Sequence, residues 1–477
     1  MSIHWLDYAI IILYFFVVVY IGYWAMKKVT NFDDYAVAGR GLPMSIFFAA
    51  IAATLCGGGA TIGRVSFMHT TGIVVFAGLI GVVINQIFSG LYIAGRVHNI
   101  KNVYSVGDLF GLYYGRAGRL VSSIVCFFFC LGLYGVQILA MGAILQTAVG
   151  IDLIPAALIS SVITLAYTWS GGMLAVTMTD AVQYVIIIIG VSLCGYLAID
   201  HLGGFDAMMA TLNAMPRYEN NLKLFSGWGP IQFAGLFLSF LFGEFCAPYF
   251  IQRYASTKSA KDSKNGLLIF GVHWIFFMAT TAAIGLASMA IQPDVKPDLA
   301  FTNLIRDILP PGITGLVFGA LLAAVMSTGA AMINTSAVIY TRDIYNKFIN
   351  TAATQADLLR QSRLSTLVVG GISIGVAIIF QDVFGLMIYI FKLWPSAIIP
   401  PLLAGLLWGK VSPYAGAPAV VIGVVSCFLW SDKVLGEPFG IPANLIGIGL
   451  NCLTLFVVHQ MMKRRVPSTG IYAPEVL

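Results

Sequence analysis

The chain has 477 residues, of which 59% are hydrophobic and only 10% charged. A soluble domain carries about 25% charged residues, so this composition excludes a soluble globular protein. Twenty-six Lys and Arg against 20 Asp and Glu give a formal charge of +6, too dispersed among apolar runs to suit a nucleic-acid partner.

Apolar runs of about 20 residues, enough to cross a bilayer, recur along the whole length. None shows the short alternating pattern of a β-barrel. The expected fold class is an all-α polytopic membrane protein. The first run, 6–26, has no basic residue before it and no small-residue cleavage site after it, so it reads as an uncleaved span. Twelve more follow at about 43–68, 73–97, 119–149, 152–170, 176–199, 229–252, 266–291, 311–345, 361–381, 384–409, 415–431 and 440–462, making thirteen. The longest polar connections are near 98–118 and 200–228, so one transmembrane domain over 1–477 is expected. All seven cysteines lie in apolar runs without metal-ligand spacing and read as free thiols.

Lys and Arg concentrate in cytoplasmic segments of membrane proteins. With the N-terminus outside, 19 of the 26 fall inside, among them Lys27, Arg40, Arg253, Arg342 and Lys463 to Arg465. Five fall outside, and Arg64 and Lys392 lie within spans. The C-terminus is then cytoplasmic. The expected location is a cell membrane, the inner membrane of a bacterium, with the bilayer as a partner and a monomer as the working unit.

The second span contains "AATLCGGGATIGRVS", Ala52 to Ser66. Backbone groups left unpaired in hydrocarbon cost several kcal/mol, so a triple glycine survives there in one of two ways. Either it allows close helix packing, or it lines a polar cavity. The seventh span carries "FLFGEFCAPYFIQR", with Gly243, Glu244 and Pro248. Proline removes a helical hydrogen bond, and a carboxylate at membrane depth points to function. The bland alternative is a kink with a structural Glu244–Arg64 pair. Two interrupted helices, each opening a block of five spans, form the pattern of an inverted-repeat transporter. The expected core repeats cover about 43–199 and 229–409, with 6–26, 415–431 and 440–462 peripheral.

The ninth span holds "AAVMSTGAAMIN", with Ser327 and Thr328 adjacent. Such hydroxyls commonly bond a carbonyl one turn back, but hard cations prefer oxygen ligands. The carbonyls of Ala53, Cys56 and Ala324 with these two hydroxyls would make an uncharged cage suited to a monovalent ion.

At this point a resemblance becomes specific. "NFDDYAVAGRGLP", "YTWSGGMLAVTMTDAVQ", "APYFIQRY" and "AAVMST" followed by "TRDIY" together resemble the sodium:solute symporter family over nearly the whole chain. The resemblance implies a LeuT-like fold of thirteen helices around a five-plus-five inverted repeat, sodium as the co-transported ion, and no organic cofactor. It implies sodium ligands at Ala53, Cys56, Ala324, Ser327 and Thr328, an ion-path aspartate at Asp180, and an inner-gate aromatic at Tyr249. Asp180 also reads as a helix-start cap, and Tyr249 as a packing aromatic. The glycine-rich break departs from better-known members, so the solute does not transfer.

Thr61, Arg64, Asn85, Gln86, Tyr134, Gln137, Glu244 and Phe245 are the candidates for the solute cavity. Arg64 suits a carboxylate and Glu244 an ammonium, which points to an amino acid or other small zwitterion. The leading function is therefore a sodium-coupled symporter importing a small polar organic solute. A proton-coupled carrier using Glu244 and Asp180 and a solute-sensing receptor are the alternatives. No Walker loop, HExxH pair or nucleophile elbow is present, so an enzyme is not expected.

Overall fold

The structure is a computed structural model that describes residues 4–225, 228–380 and 383–462. Lys463, Arg464 and Arg465, which contribute to the charge bias, lie outside the described residues. Among the described residues there is no strand; a single parallel bridge joins Leu42 to Thr257.

The chain starts with α1 (Trp5–Met26) and a short α2 (Phe32–Val37). The second apolar run is split into α3 (Met44–Leu55) and α4 (Ile62–Thr71). Helix α5 (Val74–Phe88) passes through a π-helical turn, Ser89–Ile93, into α6 (Ala94–Asn99). Helices α7 (Val106–Val149) and α8 (Leu153–His201) are long, and each folds at one glycine. Gly115 (φ 65°) and Gly172 (φ 52°) hold backbone angles that a side chain resists. Then come α9 (Phe205–Asn213), the second split pair α10 (Pro230–Phe242) and α11 (Pro248–Ser256), α12 (Ala260–Ile291) and α13 (Ala300–Ile308). Helix α14 (Ile313–Ile339) ends in a π-helical segment, Tyr340–Ile349. The last elements are α15 (Gln355–Phe380), α16 (Val383–Ala397), α17 (Ile399–Leu403), α18 (Gly416–Trp430) and α19 (Ala443–Met462).

Length and apolarity alone give eight membrane-crossing helices among the described residues, or nine when the bent α16–α17 pair counts as one span. The difference from thirteen has a physical origin. The two split spans fall into halves too short to qualify, α18 has 15 residues, and two expected spans share α8 across Gly172.

Helix α14 is the axis of the molecule. Val317 to Ile339 is buried throughout, packed against α7, α8, α1 and α3. Its first turn is tied down by α1. The buried Asp7 carboxylate accepts from the amides of Gly312 and Gly315 at 2.7 Å each, meeting backbone donors that a helix start leaves unpaired. At the other end of the bundle, Arg119 bonds Asp108 at 2.6 Å and Asp343 at 3.0 Å. Arg40 donates to the carbonyls of Ala255 and Val103. Arg342 reaches the same Asp108 at 3.5 Å, and Arg40 and Arg342 both lie over the Tyr104 ring, so Arg40, Arg119 and Arg342 share what we call the basic end.

Candidate functional site

The break after α3 is built so that other helices can enter it. Cys56 caps α3, and the chain turns through Gly57 to Thr61 before α4 resumes. A Cβ on Gly57 would lie 2.3 Å from the Thr328 hydroxyl, one on Gly58 2.5 Å from the Ala140 methyl, and one on Gly59 1.9 Å from the Met387 sulfur. Three consecutive glycines thus admit α14, α7 and α16 in turn. The freed backbone is met from outside the helix: the Gly58 amide donates to Gln137 Oε1 at 2.8 Å.

The break is also where α3 meets α14. Ser327 Oγ lies 2.9 Å from the Ala53 carbonyl and 2.8 Å from that of Ala324. Thr328 Oγ1 lies 2.6 Å from the Thr54 carbonyl and 3.0 Å from that of Ala324. Each hydroxyl carries one proton, so two of these four oxygen–oxygen contacts have no proton between them. Five oxygens without net charge, short of donors, form an environment that a hard monovalent cation satisfies. The structure brings Ala53, Ala324, Ser327 and Thr328 together as expected. In these hydroxyl contacts the carbonyl of Thr54 appears and that of Cys56 does not.

Beside this cluster lies a closed ion pair. Arg253 on α11 donates to Asp180 at 2.8 Å and to the Thr54 hydroxyl at 2.7 Å, with both charged side chains no more than 1% exposed. Asp180 sits mid-way along α8, eight residues past Gly172, so it is not the cap of a helix start. Thr54 joins the two features: its carbonyl faces Thr328 and its hydroxyl faces the pair.

On the other side of the break is a cavity of about 40 Å³, small beside the roughly 300–1,000 Å³ of an open ligand pocket. Its polar wall is Arg64, Asn85, Gln137, Glu244 and Thr328. Its apolar wall is Val82, Leu133, Phe240, Met387 and Phe391. The Arg64 guanidinium lies over the Trp274 ring at 4.6 Å, and its buried Nη1 has no hydrogen-bond partner. Glu244 accepts from the Tyr249 hydroxyl at 2.7 Å. Arg64 and Glu244 thus face one cavity without pairing, which resolves the alternative that the sequence left open. Tyr249 sits below Glu244, its ring 4.7 Å from that of Phe250.

Four expected lining residues lie elsewhere. The Thr61 hydroxyl turns back to the Gly57 carbonyl at 3.0 Å. Gln86 is buried with its Cβ toward Gly271 of α12. The Phe245 ring packs between Phe88 and Phe242, and its carbonyl accepts from Trp394. Tyr134 packs on Gly329 of α14. The apolar wall was missed in the sequence, because a phenylalanine or methionine in an apolar run carries no local signal.

Comparison with known proteins adds to this geometry. A sequence model of the sodium:solute symporter family matches residues 35–423. The osmoregulated proline transporter OpuE of Bacillus subtilis (strain 168) is 25% identical over 477 residues, covering 96% of this chain and 95% of its own. The sodium/proline symporter of Escherichia coli (strain K12) is 25% identical over 437 residues, covering 88% and 86%. A substrate-bound, outward-open Na+-coupled sialic acid symporter superposes with a TM-score of 0.82 at 18% identity, over 97% of this chain and 98% of its own, which establishes the LeuT-like fold.

Proposed function

Because the chain belongs to the sodium:solute symporter family, and is therefore a sodium-coupled membrane transporter rather than an enzyme, we propose that it imports a small zwitterionic amino acid, with L-proline the first candidate. Sodium is held where α3 and α14 meet, by the Ala53, Thr54 and Ala324 carbonyls and the Ser327 and Thr328 hydroxyls, with Cys56 offering a further carbonyl. The observation that carries this is the proton shortage: four short oxygen contacts share two protons. In the cavity, Arg64 receives the solute carboxylate and Glu244 its ammonium. Leu133, Met387 and Phe391 receive an aliphatic body. The proline transporters among the relatives favour this class.

Sodium and solute are neighbours because Thr328 belongs to both sites. Occupying one site orders the break and so favours the other, and such coupling is reciprocal. Each inward sodium gains about 2.3 kcal/mol per 100 mV of membrane potential, enough to accumulate solute against a gradient. Asp180 and Tyr249 stand on the ion and solute paths toward the basic end. We take the basic end as cytoplasmic, the N-terminus as outside, and the membrane as a bacterial inner membrane. Thirteen spans, with repeats at about 43–199 and 229–409, and a monomer complete the proposal.

The test is uptake of labelled L-proline into proteoliposomes with and without a sodium gradient. Sodium should stimulate uptake. Ser327→Ala with Thr328→Ala should remove that stimulation while the protein stays folded and inserted. Sodium stimulation that survives in the double variant would overturn the cation site.

A further inference from the structure

A cavity of about 500 Å³ lies on the outer face of the bundle and shares no lining residue with the solute cavity. Ile124 and Phe128 of α7, Ile344 in the π-helical end of α14, and Leu364 and Val368 of α15 line it. All but Ile344 are exposed apolar side chains, so the space is a groove open toward lipid. Its α15 wall runs from Gln361 to Ile372, about 16 Å at 1.5 Å per residue. That is about half of a hydrocarbon core of roughly 30 Å, the depth of one leaflet. The groove thus suits a single acyl chain in both length and polarity.

One end of the groove is basic. Arg116 of α7 lies over the Phe348 ring at 4.8 Å, and Phe348 follows Ile344 by four residues in the same π-helical segment. Arg360 immediately precedes Gln361 and lies one turn before Leu364 on α15. Both arginines are exposed. The acids nearby are already engaged. Asp108 and Asp343 are held by Arg119, and Asp357 accepts from the amide and hydroxyl of Thr354 at 3.0 and 2.7 Å. A groove of similar size, about 450 Å³, on α7, α8 and α15 has Gln146 and Asp152 as its polar lining. Its one charge is acidic, whereas the first groove joins an apolar channel to a basic mouth.

We infer that this groove binds an anionic phospholipid from the leaflet at the basic end. One acyl chain lies between α7, α14 and α15, and the phosphate accepts hydrogen bonds from Arg116 and Arg360 at the mouth. A guanidinium suits phosphate because its planar fork donates two hydrogen bonds at once. Basic pockets between transmembrane helices hold anionic lipid head groups in this way. Phosphatidylcholine brings the same chains but adds a choline that the two arginines repel. The bound lipid bridges α14, which carries Ser327 and Thr328, to α7 and α15. The inference does not depend on which solute is carried.

The experiment is native mass spectrometry of the full-length protein in neutral detergent. The probes are dioleoyl phosphatidylglycerol and dioleoyl phosphatidylcholine, which share their chains and differ in charge. Glycerol 3-phosphate supplies a head group without chains. The expected result is a saturable phosphatidylglycerol adduct, at least tenfold tighter than that of phosphatidylcholine, with no competition from glycerol 3-phosphate. Arg116→Gln with Arg360→Gln should weaken it at least tenfold, about 1.4 kcal/mol. Leu364→Trp, which puts a ring into the groove, should weaken both lipids. Lys27→Gln with Lys28→Gln removes two charges that rest on the Tyr23 and Trp24 rings of α1 and should change nothing. All the substituted residues are exposed, so each variant should fold. Equal affinity for the two lipids, indifference to the double arginine variant or to Leu364→Trp, or an equal loss in the lysine variant overturns the site. Full competition by glycerol 3-phosphate also overturns it, because the ligand is then a free phosphate and not a lipid.

Discussion

Each of the two split helices carries an arginine with a carboxylate nearby, and the two combinations differ in one respect. Arg253 on α11 and Asp180 are joined at 2.8 Å and fully buried. Arg64 on α4 and Glu244 in the second break face a shared cavity without touching, and a guanidinium nitrogen of Arg64 is left unpartnered. A buried charge with its counter-charge in place belongs to the framework. Arg64 has only the Trp274 ring at 4.6 Å in place of a counter-charge, which is the difference expected between a closed ion pair and the proposed solute site. The first pair also bonds the last turn of α3 through Thr54, so it fastens the first split helix to the second beside the break.

The comparison breaks if the two combinations respond alike to mutation. Removing one partner of a buried pair typically costs about 3–5 kcal/mol, and replacing both by apolar residues is often neutral. Asp180→Leu should therefore lower the thermal midpoint strongly, and Asp180→Leu with Arg253→Met should recover most of it. Arg64→Gln should leave stability nearly unchanged and raise the half-saturating solute concentration in uptake by roughly 10- to 100-fold, the worth of a charge-assisted hydrogen bond of about 1.5–3 kcal/mol. Equal stability losses at Asp180 and Arg64 would remove the distinction.

A smaller effect separates the breaks themselves. The first is made by omitting side chains. Gly57→Ala places a methyl 2.3 Å from Thr328 Oγ1 and 2.9 Å from Gln137 Oε1. Overpacking of this kind costs about 1–3 kcal/mol, and here it also displaces a proposed sodium ligand. Sodium stimulation of uptake should fall more than stability does. A variant that keeps full sodium dependence would show that the glycines serve packing alone.

Both breaks were legible because glycine runs, a proline and mid-membrane charges contradict a continuous span. Ser327 and Thr328 were legible as adjacent hydroxyls on an apolar helix. The Thr54 carbonyl that meets Thr328 was not, because a backbone oxygen has no side-chain signature. Asn85 and Gln86 show a second limit. Neighbours on a helix point about 100° apart, and the sequence does not fix the rotation that turns Asn85 to the cavity and Gln86 to α12. The apolar wall of Met387 and Phe391 is hidden for a third reason: inside an apolar run, a residue facing solute looks the same as one facing lipid. Span counting failed by length where the helices are split, which is where the proposed sites lie.

The smallest expected effect tests how each break keeps its shape. Each contains a buried cysteine, and the same substitution should act differently on the two. Cys56 has ordinary angles, φ −76° and ψ 9°, so Cys56→Gly loses its buried thiol and adds backbone freedom. Cys246 is left-handed, φ 51°, where a side chain costs about 1–2 kcal/mol that glycine avoids. Relief of that strain offsets the lost thiol, so Cys246→Gly should be the less destabilising by about 1–2 kcal/mol, read as a higher thermal midpoint than that of Cys56→Gly. The proposed sodium ligands on α3 are carbonyls, so Cys56→Ala should leave sodium affinity as it is. Equal midpoints for the two glycine variants would mean that the second break is held by Pro248 and its neighbours without strain, and that only the first is shaped by its glycines.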